Sequence, residues 1–135
     1  MLKRAPNGPS LIVCSTCRIS ADAREDAAGR RGGAVFYEVL QDVLCTHACS
    51  ERLSLQSMPC LFACSRFCTV HLRASAKVSY VLGGFTATTA DAQALLDYAA
   101  YYIASEEGVV PYRLWPEGVK GRFITRTPPE GYCAE

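Results

Sequence analysis

TVHLRASAKVSYVLGGF, residues 69 to 85, holds two β-rich runs joined with almost no spacer. Gly83 and Gly84 close the second run, so the stretch predicts a β-hairpin. The strands of a hairpin are antiparallel. What precedes this hairpin therefore decides whether the sheet is mixed.

Upstream, Leu11 to Val13 form a short candidate for a buried strand, and the polar stretch from Arg18 to the GRRGG that ends at Gly33 reads as an exposed loop. From Ala34, the residues Val35, Phe36, Val39, Leu40, Val43 and Leu44 recur at helical spacing, which predicts an amphipathic helix ending near Cys45. Leu53 to Met58 alternates as a strand. A strand-helix-strand unit needs a right-handed crossover and hence a parallel pair. Downstream of the hairpin, TATTADAQALLDYAAYYIASEEG, residues 86 to 108, is the clearest helix. Thr88 or Thr89 offers the N-cap oxygen, Asp91 lies in the first turn, Leu95, Leu96, Ala99 and Ile103 line one face, and Gly108 stops it. The tyrosines at 98, 101 and 102 read as helix-packing residues. The order β-α-β-β-β-α predicts an α/β fold: a mixed four-stranded sheet with helices packed on it, the thioredoxin-like core. Residues 1–10 read as a flexible start and 109–135, with prolines at 111, 116, 128 and 129, as an extended tail. No internal repeat or linker interrupts the chain, so residues 1–135 read as a single domain.

The 135 residues suffice for a hydrophobic core without staples, and half of them are apolar. The eight cysteines are therefore not needed for stability. The basic start MLKRAPNGPS is followed by only three strongly apolar residues, which is no secretory signal core, and no run of about twenty apolar residues predicts a membrane span. The expected setting is the cytoplasm, where thiols stay reduced and clustered cysteines bind metal or do redox chemistry more often than they form bridges. A formal net charge of +1 gives no bulk attraction for nucleic acid or membrane. Arg113, Lys120, Arg122 and Arg126 make the C-terminal segment locally basic, while Asp22, Glu25 and Asp26 read as a solvated acidic loop. There is no Gly-rich phosphate loop, no carboxylate pair in an apolar setting and no nucleophile beside either histidine, so no enzyme is expected.

The chemistry lies in two cysteine clusters, CSTC at 14–17 and CLFACSRFC at 60–68. The first follows strand one and the second leaves the strand parallel to it, so both loops emerge at one edge of the sheet. Cys14, Cys17, Cys60 and Cys64 then offer paired ligands, C-x2-C and C-x3-C. Four thiolates select zinc or an iron-sulfur cluster over hard cations. A dithiol redox pair at Cys14 and Cys17 ranks lower, because such a pair normally opens a helix directly and here a long polar loop follows. Cys45 and Cys49 flank His47; packing is the plainer reading, a second metal site the lesser one. His71 reads as an ordinary strand histidine and Cys133 as an incidental thiol.

LIVCSTCR, MPCLFACSRFCTVHL, KVSYVLGGF and the tail VPYRLWPE…RFITRTPPEG, spanning Leu11 to Gly131, resemble a family of small bacterial predicted metal-binding proteins of unknown function, related to the thioredoxin-like 2Fe-2S ferredoxins. The resemblance implies a 2Fe-2S cluster with Cys14, Cys17, Cys60 and Cys64 in the ligand positions. Better-known members carry a proline before the next strand; Phe67 and Cys68 stand there in this chain, which makes Cys68 the alternative to Cys64 as fourth ligand. The implied function is a one-electron carrier to a redox partner protein, with a homodimer expected and a link to cobalamin or cobalt metabolism. The alternative is a non-redox thiolate module or metallochaperone for zinc or cobalt.

Overall fold

The structure, a computed structural model, describes residues 2–135. The apolar run after Pro9 forms strand β1 (Ser10–Cys14), buried at every position. It is followed by helix α1 (Gly32–Leu44) and strand β2 (Ser54–Met58), which pairs parallel to β1 from Ser10 opposite Ser54 to Cys14 opposite Met58. The hairpin is β3 (Val70–Arg73) and β4 (Ser79–Leu82). Strand β3 lies antiparallel on the other side of β1, with Leu72 opposite Leu11. The α/β thioredoxin-like layout expected from the element order is therefore present.

The strand count differs. Residues 109–135 are folded rather than simply extended: Phe123–Thr127 form β5 on the free edge of β4, so the sheet is five-stranded in the order β2-β1-β3-β4-β5. The cause lies in side chains the periodicity does not reveal. The Phe123 ring packs against Tyr80, Tyr98 and Trp115 at centroid distances of 5.4, 5.3 and 4.6 Å, and the Trp115 indole N–H donates to the Val110 carbonyl at 2.9 Å. Pro111 and Pro116 precede short 3-10 turns at Tyr112–Leu114 and Glu117–Val119, which bring the chain back to the sheet.

Leu11, Val13, Val70, Leu72, Tyr80 and Leu82 fall on one face by the strand register, and all are buried. Helix α1 adds Phe36 and Leu40 to that core, and helix α2 (Thr89–Ala104) adds Leu95, Leu96, Tyr98, Ala99 and Tyr102. Two tyrosines take the place expected of Ile103, which is half-buried, because α2 lies over the aromatic cluster. The Tyr102 hydroxyl is satisfied by the Val78 carbonyl at 2.6 Å. Thr88 is the N-cap: its hydroxyl accepts from the Asp91 amide at 3.2 Å, while the Asp91 carboxylate accepts from the Thr86 amide at 2.6 Å.

One boundary moved with consequences for function. The sequence reading ends a loop at Gly33, yet Gly32 and Gly33 form the first turn of α1. A Cβ on Gly33 would stand 1.8 Å from the Cys14 carbonyl oxygen, and one on Gly32 would stand 2.1 Å from that of Arg18. The glycines let the helix start rest directly on the loop that carries the first cysteine pair, with the Gly33 amide donating to the Cys17 carbonyl at 3.2 Å.

Candidate metal centre

Because β1 and β2 run parallel and end together, the loops that leave them share one edge of the sheet. The Ser15 amide donates to the Met58 carbonyl at 3.0 Å, which ties the two loop starts together. Cys14 and Cys17 are buried, Cys60 is half-buried and Cys64 is exposed. In the second loop the Cys60 and Cys64 sulfurs are 3.5 Å apart. Leu61, also in the second loop, lies near enough for its backbone amide to favour the Cys14 thiolate, so the two clusters expected to meet do approach one another.

Polar groups lie against these sulfurs. The Thr16 hydroxyl is 3.8 Å from the Cys14 sulfur, the Thr69 hydroxyl is 3.3 Å from that of Cys17, and Cys60 accepts from the Phe62 amide at 3.4 Å. Cys60 at φ 61° and Phe62 at φ 60° both adopt the left-handed conformation, uncommon for residues with a side chain. That turn aims the Phe62 amide at sulfur and leaves the Phe62 ring 94 % exposed beside the thiols. The loop is anchored further on: the Gly84 amide donates to the Arg66 carbonyl at 2.8 Å and the Cys68 amide to that of Phe85 at 3.1 Å.

The first pair is electrostatically asymmetric. Burial of the Cys14 thiol works against ionisation, but hydrogen bonds from the Cys17 thiol and from the Leu61 and Thr16 amides outweigh it and bring Cys14 down to about 7. Burial pushes Cys17 up to about 11, helped by the negative charge of Cys14. Cys14 is thus the more acidic thiol of the pair and Cys17 the less acidic. Hydrogen bonding to Cys60 and its charge raise Cys64. Cys68 is pushed up to about 12, by burial first and then by the charges of Cys17 and Cys14. Cys68 is 2 % exposed, with its sulfur 4.0 Å from the Arg18 carbonyl, beneath the first loop.

The remaining sequence candidates stand apart. The His47 Nε2 bonds Asp97 Oδ1 at 2.8 Å and its Nδ1 accepts from the Cys49 amide at 3.2 Å, so both ring nitrogens are used. Cys49 is fully buried, which raises its thiol, whereas Cys45 and Cys133 are exposed. His71 is half-buried in β3, with burial and Arg73 holding it below its ordinary range. Thr69 escaped the sequence reading: one hydroxyl residue at the start of a strand carries no periodic signal, and only the fold sets it against both members of the first pair.

Among the described residues, no three His, Cys, Asp or Glu side chains converge closely enough to hold one metal ion, and the sulfurs of Cys60 and Cys64 stand together as a pair. A binuclear iron-sulfur cluster takes two thiolates at each iron. The donor set fits it in number and softness, and the Phe62 amide on Cys60 and the Thr69 hydroxyl on Cys17 are the kind of contact that stabilises sulfur bearing negative charge.

Among solved structures, the chain is similar to a thioredoxin-like [2Fe-2S] ferredoxin from Aquifex aeolicus, at a TM-score of 0.57 and 14 % identity, with 95 % of this chain and 100 % of that chain covered. At that identity the likeness establishes the fold. No curated protein matches the sequence. The family model described as Protein of unknown function (DUF1636) matches residues 11–129, from the first residue of the buried LIV run to the end of the tail strand and beyond, and the chain belongs to that family.

Proposed function

We propose that this protein is a one-electron carrier that holds a 2Fe-2S cluster through Cys14, Cys17, Cys60 and Cys64. The observation that carries the proposal is the convergence of two cysteine-bearing loops from parallel neighbouring strands, one with its sulfurs 3.5 Å apart and the Phe62 amide donating to Cys60. The fold shared with a protein described as a 2Fe-2S ferredoxin supports it. Cys64 rather than Cys68 is favoured as fourth ligand, because Cys64 lies beside Cys60 at the surface edge and Cys68 is buried under Arg18. When bound, the cluster supplies reversible one-electron chemistry; the chain supplies the ligands, the amide donors and the burial that set its potential.

A redox partner docks over the sulfur-bearing edge in this reading. Phe62 presents an exposed aromatic anchor there, and exposed aromatic side chains are frequent hot spots of transient interfaces. Arg31, which donates to the Thr16 carbonyl at 3.1 Å, and Arg66, which donates to that of Gly121 at 3.1 Å, place positive charge beside it. Arg122 is less available than the sequence suggests, being bound to the Gly84 carbonyl and near Asp91. An acidic partner surface fits this edge, and a homodimer remains the expected assembly, to be read from the mass in light scattering. Among the described residues no helix is long and apolar enough to cross a membrane.

Anaerobically purified and reconstituted protein is expected to be red-brown, with about two irons and two acid-labile sulfides per chain, and to give an EPR signal on reduction. Colourless protein that retains stoichiometric zinc and no sulfide after iron-replete reconstitution would overturn the proposal in favour of a thiolate zinc or cobalt module.

A further inference from the structure

Thr69 is fully buried and touches both cysteines of the first pair. Its carbonyl accepts from the Cys14 amide at 3.0 Å, and its hydroxyl lies 3.3 Å from the Cys17 sulfur. It is the residue immediately before β3, the strand that pairs with β1, so its position relative to Cys14 and Cys17 is fixed by the sheet ladder rather than by a loop. A hydroxyl can donate or accept, but a sulfur that has lost its proton to a metal can only accept. Once Cys17 ligates, the 3.3 Å contact persists as a hydrogen bond only with the Thr69 O–H as donor.

We propose that Thr69 is a positioning residue that clamps the Cys14–Cys17 loop to the sheet and, through its hydroxyl, raises the reduction potential of the bound cluster. The inference rests on the cluster reading of the preceding subsection. A hydrogen bond to a ligand sulfur favours the state with more negative charge on that sulfur, which is the reduced state. Removing the hydroxyl while keeping the side-chain shape should therefore make the cluster harder to reduce. The backbone bond from the Cys14 amide to the Thr69 carbonyl survives any side-chain substitution, so the hydroxyl can be tested separately from the clamp.

The test uses wild-type protein, Thr69→Val, which exchanges the hydroxyl for a methyl group, and Thr69→Ser, which restores it. Spectroelectrochemistry of the reconstituted proteins should show Thr69→Val with iron and sulfide content like wild type but about a tenfold smaller equilibrium constant for reduction, about 59 mV lower for one electron. Thr69→Ser should return most of that shift. An unchanged potential in Thr69→Val, or an equal shift in Thr69→Ser, overturns the assignment, because packing would then account for the effect. A second readout does not depend on the cluster: the sulfhydryl stretching band of Cys17 in the Raman spectrum of reduced apoprotein, identified by its loss in Cys17→Ser. That band should move in Thr69→Val and stay in place in Thr69→Ser. If wild type takes up no sulfide, the electron-carrier reading fails, and the Raman band alone decides the Thr69 contact; a band identical in all three proteins overturns it.

Discussion

Replacing Gly33 by alanine puts one methyl group where the structure has no room for it. The added carbon would stand 1.8 Å from the Cys14 carbonyl oxygen and 2.9 Å from the carbonyl carbon. A carbon–oxygen contact settles at about 3.3 Å, so the start of α1 and the cysteine loop must separate by roughly 1.5 Å. Intrinsic helix propensity runs the other way, since alanine in place of glycine favours a helix by about 1 kcal/mol. The overlap is with backbone, which cannot rotate aside, and it also threatens the bond from the Gly33 amide to the Cys17 carbonyl. Overpacking of this kind costs about 3 kcal/mol, which leaves a net loss of about 2 kcal/mol. In a domain of this size that corresponds to a fall of roughly 8 °C in Tm. Chemical and thermal unfolding of the reduced apoprotein measures the loss, and iron and sulfide analysis after reconstitution measures its effect on the site. Gly121→Ala is the control: Gly121 has φ +78° and nothing within 4 Å of an added Cβ, so it should lose only the left-handed backbone penalty of about 1 kcal/mol and load normally. A Gly33→Ala protein as stable as wild type, with full iron and sulfide, would refute the argument that the helix start and the cysteine loop are in direct backbone contact.

Serine at position 14, 17, 60 or 64 should lose or grossly alter the cluster, whereas Cys68→Ser should keep iron and sulfide near the wild-type level; the reverse result for Cys64 and Cys68 would shift the fourth ligand by one spacer. Absorbance at 240 nm in the reduced apoprotein should show one thiolate forming as pH rises through about 7, missing in Cys14→Ser, because Cys14 is lowered to about 7 while Cys17 and Cys68 are raised to about 11 and about 12. Tyr102→Phe should destabilise the fold by about 1 kcal/mol in urea, through loss of the buried bond to the Val78 carbonyl. Phe62→Ala should leave stability and cluster content unchanged, since the ring is 94 % exposed, while slowing electron transfer to any partner that docks at this edge.

Periodicity and connection rules carried most of the architecture. The apolar spacing of α1 and α2, the paired β-rich runs of the hairpin and the parallel pairing of β1 and β2 across a helix are local or topological properties, and each is legible in one dimension. They bring the CSTC and CLFACSRFC loops to one edge without any knowledge of side-chain contacts. The fifth strand was not legible, because Phe123–Thr127 is held by rings from β4, α2 and the preceding turn, partners up to 43 residues away in sequence at Tyr80. The role of Gly32 and Gly33 was hidden for the same reason: a glycine run reads as a loop until the backbone it must approach is known. The identity of four thiols is written in the sequence, but their inequality is not. Burial of Cys17, the approach of Leu61 in the other loop to Cys14 and the hydroxyl of Thr69 depend on distant segments, and they exist only once the sheet has set its register.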